Sequence, residues 1–244
     1  MCLRVFFYFL FRRFIIKKLL GYFSKGEWAL WGFSVILIIV SFCLFGGNGG
    51  LTLAASLIGV TSILINAKGN PIGQALMIVF SLLYGIISYT FAYYGEMLTY
   101  LGMTMPMAIF SLIAWLRHPY QGNRSEVQIN GITRAEAAGM SAAAAAVTAV
   151  FYFILRYFHT ANLLPSTISV TTSFLAVYLT FRRSPYFNLA YAANDLVLIL
   201  LWTLAALSDR RYVSVAVCFT AFLLNDIYGF IRWQQRKVRQ SAAQ

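Results

Sequence analysis

The sequence is poor in charge. Asp, Glu, Lys and Arg make up only 11% of its 244 residues, against about 25% in an average soluble domain. Four long stretches contain none of these residues: 28–67, 69–95, 97–116 and 157–181. Because a membrane-spanning helix needs about 20 apolar residues, each stretch has room for one or two helices. This pattern excludes an ordinary soluble domain and predicts an all-α polytopic membrane protein.

Cysteine and histidine are also scarce, at three and two residues. Cys2, Cys43 and Cys218 are odd in number and two of them fall in apolar stretches, so we expect neither a disulfide nor a metal site. His118 and His159 are predicted near opposite faces of the membrane. The sequence also lacks a phosphate-binding glycine loop and a paired-carboxylate nucleophile pattern. We therefore expect no enzyme activity and no cofactor.

Acidic residues number seven against 19 basic ones, a net charge of +12. With eight spans, 16 of the 19 lysines and arginines fall on one side of the membrane. The positive-inside rule places that side, with both termini, in the cytoplasm. We therefore predict a multi-pass membrane protein whose basic, cytoplasmic side meets anionic lipid. A nucleic-acid partner is not expected, because no basic soluble module is present.

Charge and glycine divide the chain into segments. The glycine cluster at 46–50 favours a turn between the first two spans. Residues 1–27 alternate apolar and basic positions, which favours a helix lying on the inner membrane surface over a cleaved signal peptide. The predicted segments are the N-terminal basic amphipathic segment 1–27, an extra transmembrane helix 28–46, a first three-helix repeat 51–116, a cytoplasmic loop 117–135, a linker transmembrane helix 136–158, a second three-helix repeat 163–233 and a cytoplasmic tail 234–244.

Two parts of the chain repeat each other. Residues 108–115 match 226–233 at an offset of 118, and Lys68–Pro71 matches Arg182–Pro185 at an offset of 114. One helix separates the two three-helix units, so both have the same orientation across the membrane. Parallel repeats of this kind are typical of SWEET-like transporters. The spans predicted within the repeats are 51–66, 71–93 and 97–116, then 163–181, 186–207 and 212–232.

Asp195 and Asp226 are the only acidic residues that we predict deep in a span, and each follows an asparagine, Asn194 or Asn225. A charge in the bilayer core costs roughly 2.5–3.5 kcal/mol on insertion scales, so such residues usually face a cavity or a partner. The alternative is hydrogen bonding between helices, with Asp226 near enough to a helix end to reach Arg232 or water. The middle of span seven, at Asn194 and Asp195, is the stronger candidate for a substrate site.

Further polar and aromatic residues are candidates to line a pocket. Gln74 and Asn188 correspond at the offset of 114, and paired amides there predict an inner gate or the floor of a site. Pro106 lies within span four, where a missing N–H allows a kink, and we interpret it as a hinge. Four tryptophans at span ends are interpreted as membrane-interface anchors: Trp28, Trp31, Trp115 and Trp233. The remaining pocket candidates are Ser81, Tyr84, Phe187, Tyr191, Trp202 and Tyr228.

The chain resembles the PnuC family of bacterial vitamin transporters. The resemblance covers spans two to eight and rests on the three-one-three layout of the helices. It also rests on Arg182–Tyr186 before span seven and on Tyr228–Trp233, which is similar to an Ile-Tyr-Gly…Trp signature of the family. Family members often carry an Asn-Trp-x-x-Trp run in span seven. This chain instead has Phe187 and Asn188 there, followed by Asn194.

The resemblance implies uptake of nicotinamide riboside by facilitated diffusion with alternating access, followed by phosphorylation inside the cell. Asn194 and Phe187 are the substrate residues that it carries over. The pyridinium ring of this substrate is cationic, and an aromatic face stabilises such a cation by roughly 0.5–2 kcal/mol. Asp195 offers a balancing charge. The residues leave other possibilities open: another vitamin such as thiamine or riboflavin, a sugar, a non-transporting receptor or subunit, and a homo-oligomer.

Overall fold

The computed structural model describes residues 21–45, 49–90, 93–160 and 162–243. Within these ranges eight helices are long and apolar enough to cross a membrane, so the predicted all-α polytopic fold is confirmed. The amphipathic segment predicted at 1–27 lies mostly outside the described residues. The helices are α1 (Lys25–Phe45), α2 (Gly50–Ala67), α3 (Ile72–Thr90), α4 (Tyr94–Arg117), α5 (Arg134–Tyr157), α6 (Leu163–Phe181), α7 (Phe187–Ala206) and α8 (Val213–Ala242).

The packing of the helices has the symmetry of the sequence repeat. Helices α2, α3 and α4 pack in succession, as do α6, α7 and α8, and the two units meet where α2 contacts α8 and where α4 contacts α6. In the repeat, α2 corresponds to α6 and α4 corresponds to α8. The α2–α8 contact and the α4–α6 contact are therefore equivalent. The extra helix α1 packs on α2 and α8, and α5 packs mainly on α6. The core is therefore formed by the six repeat helices.

Two equivalent loops lie at the end of the bundle where α2, α4, α6 and α8 finish, which we call the basic end. Gly69 in the α2–α3 loop has a φ of 69° and Arg183 in the α6–α7 loop has a φ of 56°. Both are left-handed conformations, which glycine adopts freely and arginine adopts at some cost. The offset between these two residues is 114, so the backbone preserves the repeat even where the residue type has changed.

Trp115 and Trp233 form a pair at the basic end and do not serve as interface anchors. Both side chains are fully buried, and their rings are 5.5 Å apart. The indole N–H of Trp115 donates to the carbonyl of Thr180 at 3.0 Å, and that of Trp233 donates to the carbonyl of Asn66 at 2.9 Å. Each repeat thus binds the end of the other repeat's first helix, and the anchor prediction for these two residues is wrong.

The segment between α4 and α5 is folded. A short antiparallel hairpin, β1 (Pro119–Tyr120) and β2 (Asn123–Val127), lies under the basic end. Val127 is fully buried and packs in one cluster with the tryptophan pair and Phe187. Helix α5 then begins at an N-cap, since the backbone N–H of Glu136 donates to the Thr133 hydroxyl at 3.2 Å.

Helix α1 is tied to the bundle through a buried carboxylate. Glu27 accepts hydrogen bonds from Lys68 at 3.0 Å and from the hydroxyl of Tyr228 at 3.0 Å. Lys68 lies next to Gly69 in the α2–α3 loop of the first repeat, and Tyr228 lies on α8 of the second repeat. One side chain of α1 therefore contacts both repeats, which explains how a charged group is retained within an apolar helix.

Candidate functional site

The described part of the chain encloses a cavity at the centre of the bundle, between the two repeats. All six repeat helices line it, while neither α1 nor α5 contributes a described residue. The centres of water molecules can occupy about 30 Å³ of it. The lining residues are Gly59, Ile63, Asn66, Met77, Phe80, Tyr100, Thr104, Ser173, Phe187, Asn188, Tyr191, Asn194, Asp195, Phe219, Phe222 and Asp226.

Asn194 is held in one orientation by α6. Its amide oxygen accepts hydrogen bonds from Thr172 at 2.8 Å and from Ser173 at 3.0 Å. Both donors lie opposite the middle of α7, where the α6–α7 packing is close. The amide nitrogen is left as the donor available to a ligand, because a primary amide offers two N–H groups as well as its oxygen.

Two carboxyl groups meet in the cavity. Asp195 on α7 and Asp226 on α8 are both buried, with 4% and 3% of their surfaces exposed, and their carboxyl groups interact directly. One oxygen of Asp195 has no hydrogen-bond partner among the described residues. A buried carboxyl oxygen with unused acceptor capacity favours a cation or a hydrogen-bond donor as its partner. The pair is therefore the most polar feature of the cavity wall.

Asn188 has the largest unused hydrogen-bonding capacity in the wall. It is fully buried, and neither its amide nitrogen nor its amide oxygen has a partner within the described ranges. The amide packs directly on Gly229 of α8, where an added Cβ would lie 2.9 Å from three of its atoms. Glycine at 229 therefore makes room for Asn188, and the unpaired amide is a group able to both donate to and accept from a ligand.

Aromatic rings form most of the remaining wall. Phe80, Tyr100 and Phe222 surround one side, with Phe80 in edge-to-face contact with the other two at centroid distances of 5.8 and 5.6 Å. Phe187 and Tyr191 lie on the opposite side, with centroids 6.2 Å apart. Aromatic faces attract cations and pack on flat rings. The cavity thus combines ring surfaces with a carboxyl pair and two amides.

Five of the predicted site residues come together in this cavity: Phe187, Asn188, Tyr191, Asn194 and Asp195. Six others lie outside the lining. Trp202 donates from its indole nitrogen to the hydroxyl of Tyr84 at 2.8 Å, in an aromatic layer nearer the opposite end. Gln74 lies behind the wall, donating to Asn66 at 2.8 Å.

The other three predicted residues that do not line the cavity are Ser81, Asn225 and Tyr228. Ser81 is fully buried. Asn225 donates to Ser34 of α1 at 2.8 Å, and Tyr228 binds Glu27. Asn225 and Tyr228 therefore contact α1. The suggested hinge residue, Pro106, lies two residues after a π-helical turn at Tyr100–Thr104 of α4. Such turns occur often at functional sites.

Sequence reasoning missed two kinds of residue. Asn66, Met77 and Thr104 line the cavity, but their types give no signal of this in an apolar helix. The second kind is represented by Glu96. Helix α4 begins three residues before the predicted span and therefore includes Glu96. Glu96 is 2% exposed and accepts from Ser169 of α6 at 3.2 Å. Like the buried Glu27 of α1, it lies in the first turn of its helix, whereas Asp195 and Asp226 lie in the middle of α7 and α8.

A polytopic bundle of two parallel three-helix repeats, with a polar cavity at their interface, is typical of membrane transporters. A family model described as nicotinamide mononucleotide transporter matches residues 49–235. The chain belongs to this family, and it is therefore a transporter and not an enzyme. The match begins just before α2, so α1 lies outside it.

Two known proteins are similar over nearly the whole chain. The nicotinamide riboside transporter PnuC of Neisseria mucosa is 23% identical over 231 residues, which cover 92% of this chain and 87% of that protein. A crystal structure of the vitamin B3 transporter PnuC superposes with a TM-score of 0.77 at 21% identity. It covers 89% of this chain and 94% of that one. The structural likeness supports the fold described above.

Proposed function

We propose that this chain carries nicotinamide riboside into the cell by facilitated diffusion across a bacterial inner membrane. The observation that supports this most is the composition of the central cavity. The substrate joins a flat cationic pyridinium ring to a carboxamide and to a ribose with hydroxyl groups. Each part has a complement in the wall: aromatic faces and the Asp195–Asp226 pair for the ring cation, and the amides of Asn188 and Asn194 for the carboxamide and hydroxyls.

The small free volume of the cavity supports alternating access. The centres of water molecules can occupy about 30 Å³ of the cavity, which is room for about two water molecules at about 10–15 Å³ each and far less than a nucleoside needs. The walls must therefore move apart to admit the substrate and close again around it. Parallel repeats that meet mainly at two helix pairs provide interfaces at which such a movement occurs.

The orientation of the protein is part of the proposal. The basic end carries Lys68, Arg117, Arg182 and the arginines of the α8 extension. By the positive-inside rule this end faces the cytoplasm, so both termini are cytoplasmic. No ion site is needed for the transport that we propose, because the substrate moves down its own gradient and is then phosphorylated inside the cell.

The substrate assignment is tested by calorimetry on the purified protein in detergent. Nicotinamide riboside, nicotinamide, thiamine and riboflavin are titrated separately. We expect heat of binding for the riboside and none for riboflavin or thiamine. Binding of another vitamin in its place would keep the fold and contradict the substrate. If none of the four binds, a receptor or assembly subunit becomes the better account.

A further inference from the structure

The segment 127–130 crosses the basic end of the bundle and is bonded to both repeats. The backbone N–H of Val127 donates to the carbonyl of Gly69 at 2.9 Å, and that of Asn130 donates to the carbonyl of Arg183 at 3.1 Å. Gly69 and Arg183 are the equivalent residues of the two repeats, at the offset of 114 and with similar positive φ values. One four-residue segment therefore binds the same backbone position in each repeat.

The segment also packs on the apolar cluster between the cavity and the basic end. Val127 is fully buried against the Trp115–Trp233 pair and Phe187. Phe187 is at once a cavity-lining residue and an edge-to-face neighbour of Trp233, at a centroid distance of 4.7 Å. The order from the cavity outward is thus Phe187, the tryptophan pair and Val127.

Helix α8 holds the segment in place through one glutamine. The amide oxygen of Gln240 accepts from the backbone N–H of Ile129 at 2.8 Å, and its nitrogen lies 3.1 Å from both the Val127 carbonyl and Glu126. Glu126 in turn forms an ion pair with Arg236 at 3.1 Å. Gln240 is 4% exposed although it lies near the end of the chain.

We infer that residues 127–130 form a strap that keeps the basic end closed, and that its release opens the cavity to that side. This rests on the alternating access of the proposed function. If the repeats separate at this end, the distance between Gly69 and Arg183 changes, and at least one of the two backbone bonds must break. The strap would then have two arrangements, one bonded to both repeats and one released from a repeat. Interfaces with two discrete arrangements act as switches in domain closure. The strap, rather than the tryptophan pair alone, then determines when the cavity opens.

The test measures how fast a buried cysteine reacts. Leu179 lies at the basic end of α6, in the cluster with Val127 and 8% exposed. Leu179→Cys is made in a chain whose cysteines are replaced by alanine, and a maleimide labels the purified protein without substrate. Gln240→Ala removes the side chain that braces the strap. We expect labelling about tenfold faster, which corresponds to the net loss of one or two hydrogen bonds.

Two controls make the result specific. Gln235→Ala changes an exposed glutamine of the same helix that accepts from Arg232, and it should leave the labelling rate unchanged. Thr160→Cys reports the opposite end, where the residue is 8% exposed, and its rate should not respond to Gln240→Ala. Equal labelling rates of Leu179→Cys with and without Gln240→Ala would overturn the proposal. Faster labelling at both ends would also overturn it, because that result indicates general loosening.

A second variant covers the case in which Gln240→Ala does not fold. Glu126→Gln weakens the ion pairs with Arg236 and Arg239 and is read in the same assay, with the same outcomes supporting or overturning the strap. The assay uses no substrate. A chain that fails to bind nicotinamide riboside would contradict the proposed function, whereas an unchanged labelling rate would contradict the strap.

Discussion

At the scale of single residues, two of the buried polar side chains that lack a partner in the described ranges lie in the cavity wall. The amide of Asn188 and one oxygen of Asp195 are buried and lack partners among the described residues. Leaving a buried polar group unpaired costs about 1–3 kcal/mol. Such a cost is offset when a ligand supplies the missing bonds, which is why we assign these groups to substrate recognition and not to packing.

Gly229 provides a direct test of Asn188. In Gly229→Ala the new Cβ would lie 2.9 Å from the amide of Asn188, so the amide must move. Overpacking of this kind costs about 1–3 kcal/mol, and we expect calorimetry to show affinity for nicotinamide riboside reduced about tenfold or more. Gly139→Ala is the matched control, because no atom lies within 4 Å of its added Cβ. Equal affinity in the two variants would contradict the role of Asn188.

The carboxyl pair is tested by replacing each acidic group while keeping its shape. Asp195→Asn and Asp226→Asn each replace a carboxyl group with an amide of equal size. Opposite charges a few ångströms apart in a protein interior interact by roughly 1–4 kcal/mol, so we expect about tenfold or greater loss of affinity for the cationic riboside. Asp209→Asn, at a partly exposed carboxylate paired with Arg211, should bind normally. Unchanged affinity in both site variants would show that the pair only holds helices together.

Sequence alone identified about a third of the wall, and helix geometry explains why other predicted residues lie outside it. Asn188, Asp195 and Trp202 are seven residues apart and share one face of α7, but each step of seven moves about 10 Å along the axis. Trp202 therefore lies beyond the cavity, in the layer with Tyr84. Asn225 and Asp226 are adjacent and about 100° apart around α8, so Asp226 faces the cavity while Asn225 faces α1.

At the scale of elements, short matches in the sequence correspond to matched positions in space. The offsets of 114 and 118 align Gly69 with Arg183 and Trp115 with Trp233, and the structure places each pair at equivalent places of the two repeats. The sequence did not predict that the tryptophans bind carbonyls of the opposite repeat. A tryptophan at a span end is equally typical of a lipid-facing anchor, and only the packing partner distinguishes the two.

The equivalence of the tryptophans predicts equal effects of mutation. Trp115→Phe and Trp233→Phe each remove one buried N–H donor and leave a carbonyl without its partner, at a cost of about 1–3 kcal/mol. We expect each variant to lower the thermal unfolding midpoint in detergent by a similar amount. The effect of the double variant should differ from the sum, because rings in contact are energetically coupled. Trp28→Phe, at the partly exposed start of α1, should have a smaller effect. If only one of the two variants lowers the unfolding midpoint, the equivalence of Trp115 and Trp233 is contradicted.

At the scale of the whole molecule, the fold follows from composition and topology. Charge-poor stretches predicted eight spans, and the structure has eight apolar helices in the same order within the described ranges. What composition did not predict lies at the ends: the folded hairpin, the buried Glu27 and the start of α4 at Tyr94. These depend on tertiary contacts between segments far apart in sequence, which hydropathy does not record.

The central claim is that the chain equilibrates nicotinamide riboside across a membrane without an ion gradient. The most direct measurement is uptake of radiolabelled riboside into liposomes containing the purified protein, with identical buffer inside and outside. We predict uptake that ends at equal concentrations, that runs transiently above equilibrium when unlabelled riboside is preloaded, and that is reduced by Asp195→Asn. No uptake above that of empty liposomes, or accumulation that requires an imposed ion gradient, would contradict the account.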